Sequence, residues 1–169
     1  MRWRLIHQID EVRPGESLRG RCRTNLPEEL FGDHFPGFPV TPGVILVEMA
    51  AQLAGKLIEA TVWEEHHTWV FPILSIIRES KFRAFVGPDS ELNIEITLRE
   101  LREESALCRA TVRREGKRHA NMELLFVFDP SGQPAAGDRA FLEQYERDEF
   151  VRLGSPWAPS TSSENDGCD

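Results

Sequence analysis

Between Val44 and Ala60 the chain is apolar on nearly every face of a helix, and this segment limits the fold more than any other. A helix lying on a surface carries one apolar stripe, whereas one that is apolar almost all round has to be buried. Its polar residues, Glu48, Gln52, Lys56 and Glu59, fall on a single stripe at helical spacing. Thr41 stands where an N-cap is wanted, and Pro42 suits the first helical position, where its missing N–H is no loss. The rest of the chain must therefore cover this helix on most sides.

Strands are available to do so. Residues 3–12 read as a first strand, closed by the turn Arg13-Pro14-Gly15-Glu16. Leu18 to Thr24 alternates, with Leu18, Gly20, Cys22 and Thr24 on one face and Arg19, Arg21 and Arg23 on the other. Further strands are expected at Trp69–Ile77, Ser80–Val86, Leu92–Arg102, Ala106–Arg114 and Ala120–Phe128, the last two joined at Glu115-Gly116-Lys117. Strict alternation from Leu92 to Leu98 gives that sheet one wet face. The pattern is an α+β domain in which a curved antiparallel sheet wraps one apolar helix. Prolines 27, 36, 39 and 42 with glycines 32 and 37 keep residues 27–42 in a loop. After Asp129-Pro130 the composition shifts. Residues 1–130 read as the main domain, 131–154 as a linker followed by an amphipathic helix (Phe141, Leu142, Tyr145, Phe150), and 155–169 as a disordered tail.

Bulk properties exclude several classes. A net charge of -8 argues against wrapping nucleic acid, although Arg78, Lys81 and Arg83 could form a local basic patch for an acidic partner. Cys22, Cys108 and Cys168 are too few and too scattered for a disulfide framework or a zinc site, which suits a reducing cytosol. No run approaches the roughly 18 apolar residues of a membrane span, and the start lacks a signal-peptide core. These features point to a cytoplasmic protein. Glu64-Glu65-His66-His67 reads as a solvated loop at a helix end rather than a metal cluster, and no phosphate loop or serine elbow is present.

The chemistry-bearing residues cluster at the start of the apolar helix. His34 lies in Asp33-His34-Phe35-Pro36-Gly37; a lone histidine in such a loop is more often structural. Glu48, in the first turns of an apolar helix, would lose solvation, which favours a neutral, proton-carrying carboxyl; the rival reading has its stripe simply facing water. Gly43 places an N–H at the positive end of the helix with no Cβ in the way of a ligand, as an oxyanion hole requires. A base, an acid and a carbonyl-polarising N–H suffice to abstract a proton beside a thioester and expel a β-hydroxyl.

The run from His34-Phe35-Pro36-Gly37 through Thr41-Pro42-Gly43-Val44 to Glu48-Met49-Ala50-Ala51-Gln52 resembles the signature of the bacterial 3-hydroxyacyl-(acyl carrier protein) dehydratases. Weaker similarity extends to Asp10-Glu11-Val12 with Pro14-Gly15, and to Lys81-Phe82-Arg83 with Pro88, so it covers roughly residues 5–128. The resemblance implies a hot-dog fold, a homodimer with active sites at its interface, and an acyl carrier protein or coenzyme A thioester as substrate. It implies neither a metal nor an organic cofactor. It also assigns roles: His34 the base on C2, Glu48 of the neighbouring chain the group acting on the C3 hydroxyl, Gly43 the N–H to the thioester carbonyl, with Phe35, Gly37, Val44 and Gln52 around the substrate. Glu at position 48 resembles the dehydratase-only branch. The family's Pro-Gly-Asp turn is Pro88-Asp89-Ser90 here, and the segment after 130 lies outside the pattern. Two other readings stay open: a hot-dog acyl thioesterase, and a non-catalytic acyl-binding or scaffold subunit.

Overall fold

The computed structural model describes residues 4–25, 27, 31, 36–128 and 139–159. Six strands, β1 (Ile6–Arg13), β2 (Ser17–Arg23), β3 (Ile73–Phe82), β4 (Glu91–Arg102), β5 (Ser105–Arg114) and β6 (Lys117–Val127), form one sheet. Its order is β1-β2-β4-β5-β6-β3, and all neighbours are antiparallel. Helix α1 (Gly43–His66) lies against it, and α2 (Arg139–Arg152) follows the last strand. This is the α+β hot-dog architecture expected from the sequence.

Alternation does what it promised in the central strands. Leu92, Ile94 and Ile96 of β4, Cys108, Ala110 and Val112 of β5, and Ala120, Met122 and Leu124 of β6 point inward and are buried. They meet Met49, Leu53, Leu57 and Ile58 of α1, which are fully buried. Each of the leucine, isoleucine, valine and methionine side chains among them contributes about 1.5–3 kcal/mol, an upper bound given a compact unfolded chain. The helix approaches β2 so closely that a Cβ on Gly20 would stand 2.7 Å from Leu53 Cδ2. The outward arginines of β2 pair with acids, Arg21 with Asp10 and Arg23 with Glu91.

The structure departs from the sequence reading in several places. The strands expected at 69–77 and 80–86 are one, β3, because Glu79 and Ser80 stay in the ladder opposite Glu123 and Met122. Trp69 and Val70 instead enter the core ahead of it, and Arg83 and Ala84 leave the ladder by both donating to the His119 carbonyl. Helix α1 runs past Ala60 to His66 and ends on His67 at φ 51°, whose N–H reaches the Trp63 carbonyl at 2.8 Å. Thr41 is not its cap: the helix has no side-chain cap, and the Thr41 hydroxyl donates to the Gly87 carbonyl at 3.3 Å. Trp157, expected in the tail, packs on Phe150 with ring centroids 4.8 Å apart and donates from Nε1 to Glu64. No helix among the described residues is long and apolar enough to cross a membrane.

Candidate active site

The N-terminus of α1 opens into an apolar pocket of about 460 Å³, walled by Val40, Gly43, Val44, Val47, Phe82 and Phe85. Pinning of the neighbouring loop explains why this end is held open. The Gly87 carbonyl accepts from the hydroxyls of Thr24 (2.8 Å), Thr41 (3.3 Å) and Ser90 (2.9 Å). The Thr41 N–H reaches the Val86 carbonyl at 2.7 Å, so the lead into α1 is tied to the lead into β4. With Thr41 engaged elsewhere, Gly43 begins the helix uncapped, among N–H groups that no intrahelical carbonyl can satisfy. A Cβ there would stand 2.9 Å from the Phe82 ring. Only glycine lets the backbone come this near the pocket wall.

Glu48 opens elsewhere. It is half-buried and lines a second cavity of about 330 Å³, between α1, the lead into β1, the lead into β3, and α2. Gln52 holds it: Gln52 Nε2 donates to Glu48 Oε1 at 2.9 Å, and Gln52 Oε1 accepts from the Leu5 N–H at 3.3 Å. Five residues separate Gly43 from Glu48, which sets them about 140° apart around the helix axis. Within one chain the two therefore serve different cavities.

Of the other residues singled out from the sequence, Val44 is exposed at the first pocket and Gly37 sits exposed in a turn at φ 81°. His34 and Phe35 lie outside the described residues. The following segment brings Phe38 edge-on to Phe85 of the Gly43 pocket wall, ring centroids 5.7 Å apart. The Pro88-Asp89-Ser90 turn keeps the backbone a glycine would give. Asp89 has φ 51°, a left-handed conformation that a short polar side chain tolerates, and the Ser90 N–H donates to the Thr24 hydroxyl at 2.8 Å.

Sequence reasoning missed the ionic end of the second cavity. Lys56 and Glu59, read as part of a stripe, are both buried. Lys56 Nζ lies 2.9 Å from Glu59 Oε2 and is also ion-paired with Glu146 of α2. Burial pushes the Glu59 carboxyl up to about 8, against the pull of Lys56, because one cation serves two carboxylates. Burial by itself would lower Lys56, but Glu59 and Glu146 outweigh it and hold it above its ordinary value. Nothing local in the sequence announces this; α2 has to be seen lying over the stripe. The buried thiols of Cys22 and Cys108 are pushed up to about 12 by burial and are inert.

The chain has clear relatives among known proteins. The sequence profile of the ApeI-like family (ApeI dehydratase) matches residues 10–123. The 3-hydroxyacyl-[acyl-carrier-protein] dehydratase FabZ of Ligilactobacillus salivarius is 35% identical over 123 residues, 73% of this chain and 86% of its own length. FabZ of Lactobacillus helveticus is 34% identical over 123 residues, covering 73% and 81%. Among solved structures, the dehydratase heterocomplex ApeI:P from Xenorhabdus doucetiae shares the fold at a TM-score of 0.55 and 18% identity, over 75% of this chain and 99% of that one.

Proposed function

From the premise that this chain belongs to the ApeI-like dehydratase family, we propose that it removes water from a 3-hydroxyacyl thioester on acyl carrier protein, leaving the trans-2-enoyl thioester. In this reading the protein works in the cytoplasm as a homodimer. His34 takes a proton from C2, and the charge that develops on the thioester oxygen is met by the Gly43 N–H and the positive end of α1. The C3–O bond then breaks as Glu48 of the neighbouring chain supplies a proton, and the hydroxyl leaves as water. No covalent intermediate is needed.

The observation that carries the reading is the placement of Gly43 and Glu48 on different sides of α1, opening into different cavities. That separation favours a site shared by a two-fold pair of chains over one built within a single chain. Strand β3 favours such pairing. Among the described residues it is a sheet edge, paired with β6 alone, and carries exposed Ile73, Ile76, Ile77 and Phe82. A long apolar edge is a template for another strand. Val44 and Phe85 extend the same apolar surface around the Gly43 pocket.

The test is an assay with a 3-hydroxyacyl-carrier substrate that reads enoyl absorbance and free thiol together. Enoyl product without thiol release is the expected result. Thiol release without enoyl product would replace this reading with thioester hydrolysis.

A further inference from the structure

The stripe on α1 changes character along the second cavity. On its inner side the cavity is lined by Ala51 and Gly55 from α1, Leu74 from β3 and Phe126 from β6, while Arg4 and Arg152 stand at its rim. Two turns past Glu48 the wall is ionic: Lys56 sits between Glu59 and Glu146, with its Nζ 5.2 Å from the centre of the Phe150 ring. The residues that α2 adds to this wall lie past residue 123, outside the segment matched by the family profile.

We propose that α2 and the Lys56–Glu59–Glu146 cluster form the end wall of the acyl pocket and restrict the enzyme to short 3-hydroxyacyl chains. This rests on the dehydratase reading. With the thioester carbonyl at Gly43 and the C3 hydroxyl at Glu48, the fourth carbon onward runs past Glu48 into this cavity. Lys56 lies eight residues beyond Glu48, about 12 Å along the helix. A short chain ends among Ala51, Gly55, Leu74 and Phe126. A long one has to lay methylenes against three buried ionisable groups and strip the water that reaches them, a loss that apolar burial does not recover. The wall's position, on a helix added after the sheet, lets the chain limit be set without touching Gly43 or Glu48.

The experiment measures kcat/KM for 3-hydroxybutyryl and 3-hydroxydecanoyl thioesters of acyl carrier protein on the full chain. The butyryl substrate is expected to lead by about tenfold or more. The combined change Lys56→Met, Glu59→Leu and Glu146→Leu exchanges the cluster for apolar groups of similar size and should raise decanoyl turnover until the ratio is near one. Equal efficiency on both chains, or a decanoyl preference, in the unmodified protein would overturn the proposal. Should the triple variant not fold, Gly55→Leu gives a second arm. A Cβ there would clash with nothing, its nearest neighbour Glu59 Oε1 at an ordinary contact distance of 4.0 Å, so added bulk shortens the cavity. It should lower 3-hydroxyhexanoyl turnover relative to butyryl; an unchanged ratio overturns the proposal. If no chain yields enoyl product, the dehydratase reading itself fails, and this one with it.

Discussion

Glu48 takes its direction from Gln52, one turn on, which in turn is fixed by the Leu5 N–H ahead of β1. That division of labour separates two variants. Glu48→Gln removes the proposed proton donor and should cost about 10²–10⁴-fold in kcat with the fold retained. Gln52→Leu leaves the carboxyl but frees it to turn, so about a tenfold loss is expected, with a displaced pH–rate profile as the sign of a positioning role. Turnover of Glu48→Gln near the unmodified rate would remove Glu48 from the chemistry. Gly43 can be tested against its neighbour. Gly43→Ala drives a methyl into the Phe82 ring and should lower both Tm and kcat/KM, the stability part by about 1–3 kcal/mol. Adding Phe82→Leu makes room and should restore Tm. It should not restore kcat/KM, because the methyl still stands in front of the N–H; full recovery of activity would reduce Gly43 to a packing residue.

The elements show what a sequence can and cannot declare. Helix α1 was legible because a run apolar on almost all sides has one physical solution, burial, and β4 because Leu92 to Leu98 alternates without a break. Strand β3 reads as two in the sequence, since Arg78-Glu79 falls between two apolar runs and only the ladder to β6 joins them. The turn at Pro88-Asp89-Ser90 departs from the family's Pro-Gly-Asp, yet Asp89 takes the left-handed backbone at φ 51°. Lys56 and Glu59 could not be distinguished from a solvated stripe, because their burial depends on α2, about ninety residues away. This contact makes stability depend on pH. Glu59 keeps its proton to about 8 when folded but loses it near 4.5 when free, so between those values the folded state holds the extra proton. Stability therefore falls as pH rises through that window and is not penalised below it. Lys56, raised above its ordinary 10.5, adds nothing to the slope there, because both states stay protonated. Thermal melts of Glu59→Gln from pH 4.5 to 8 should be flatter than those of the unmodified chain. Parallel curves would mean that Glu59 is ionised throughout.

For the whole molecule, β3 stands at the edge of the sheet, and its apolar residues Ile77 and Phe82 adjoin the pocket that holds Gly43. Ile76→Glu should therefore give a monomer by light scattering and lose activity together with the dimer, though residue 76 touches no substrate in this account. A monomer that kept full turnover would place a complete site within one chain. The most direct measurement is complementation between two dead variants. His34→Ala and Glu48→Gln homodimers, mixed equally and allowed to exchange subunits, form heterodimers in which one of the two sites has both side chains intact. Such a mixture should recover about a quarter of the unmodified activity, as random two-fold pairing dictates. Recovery of nothing, with exchange verified by mass spectrometry, would contradict a site shared between neighbouring chains.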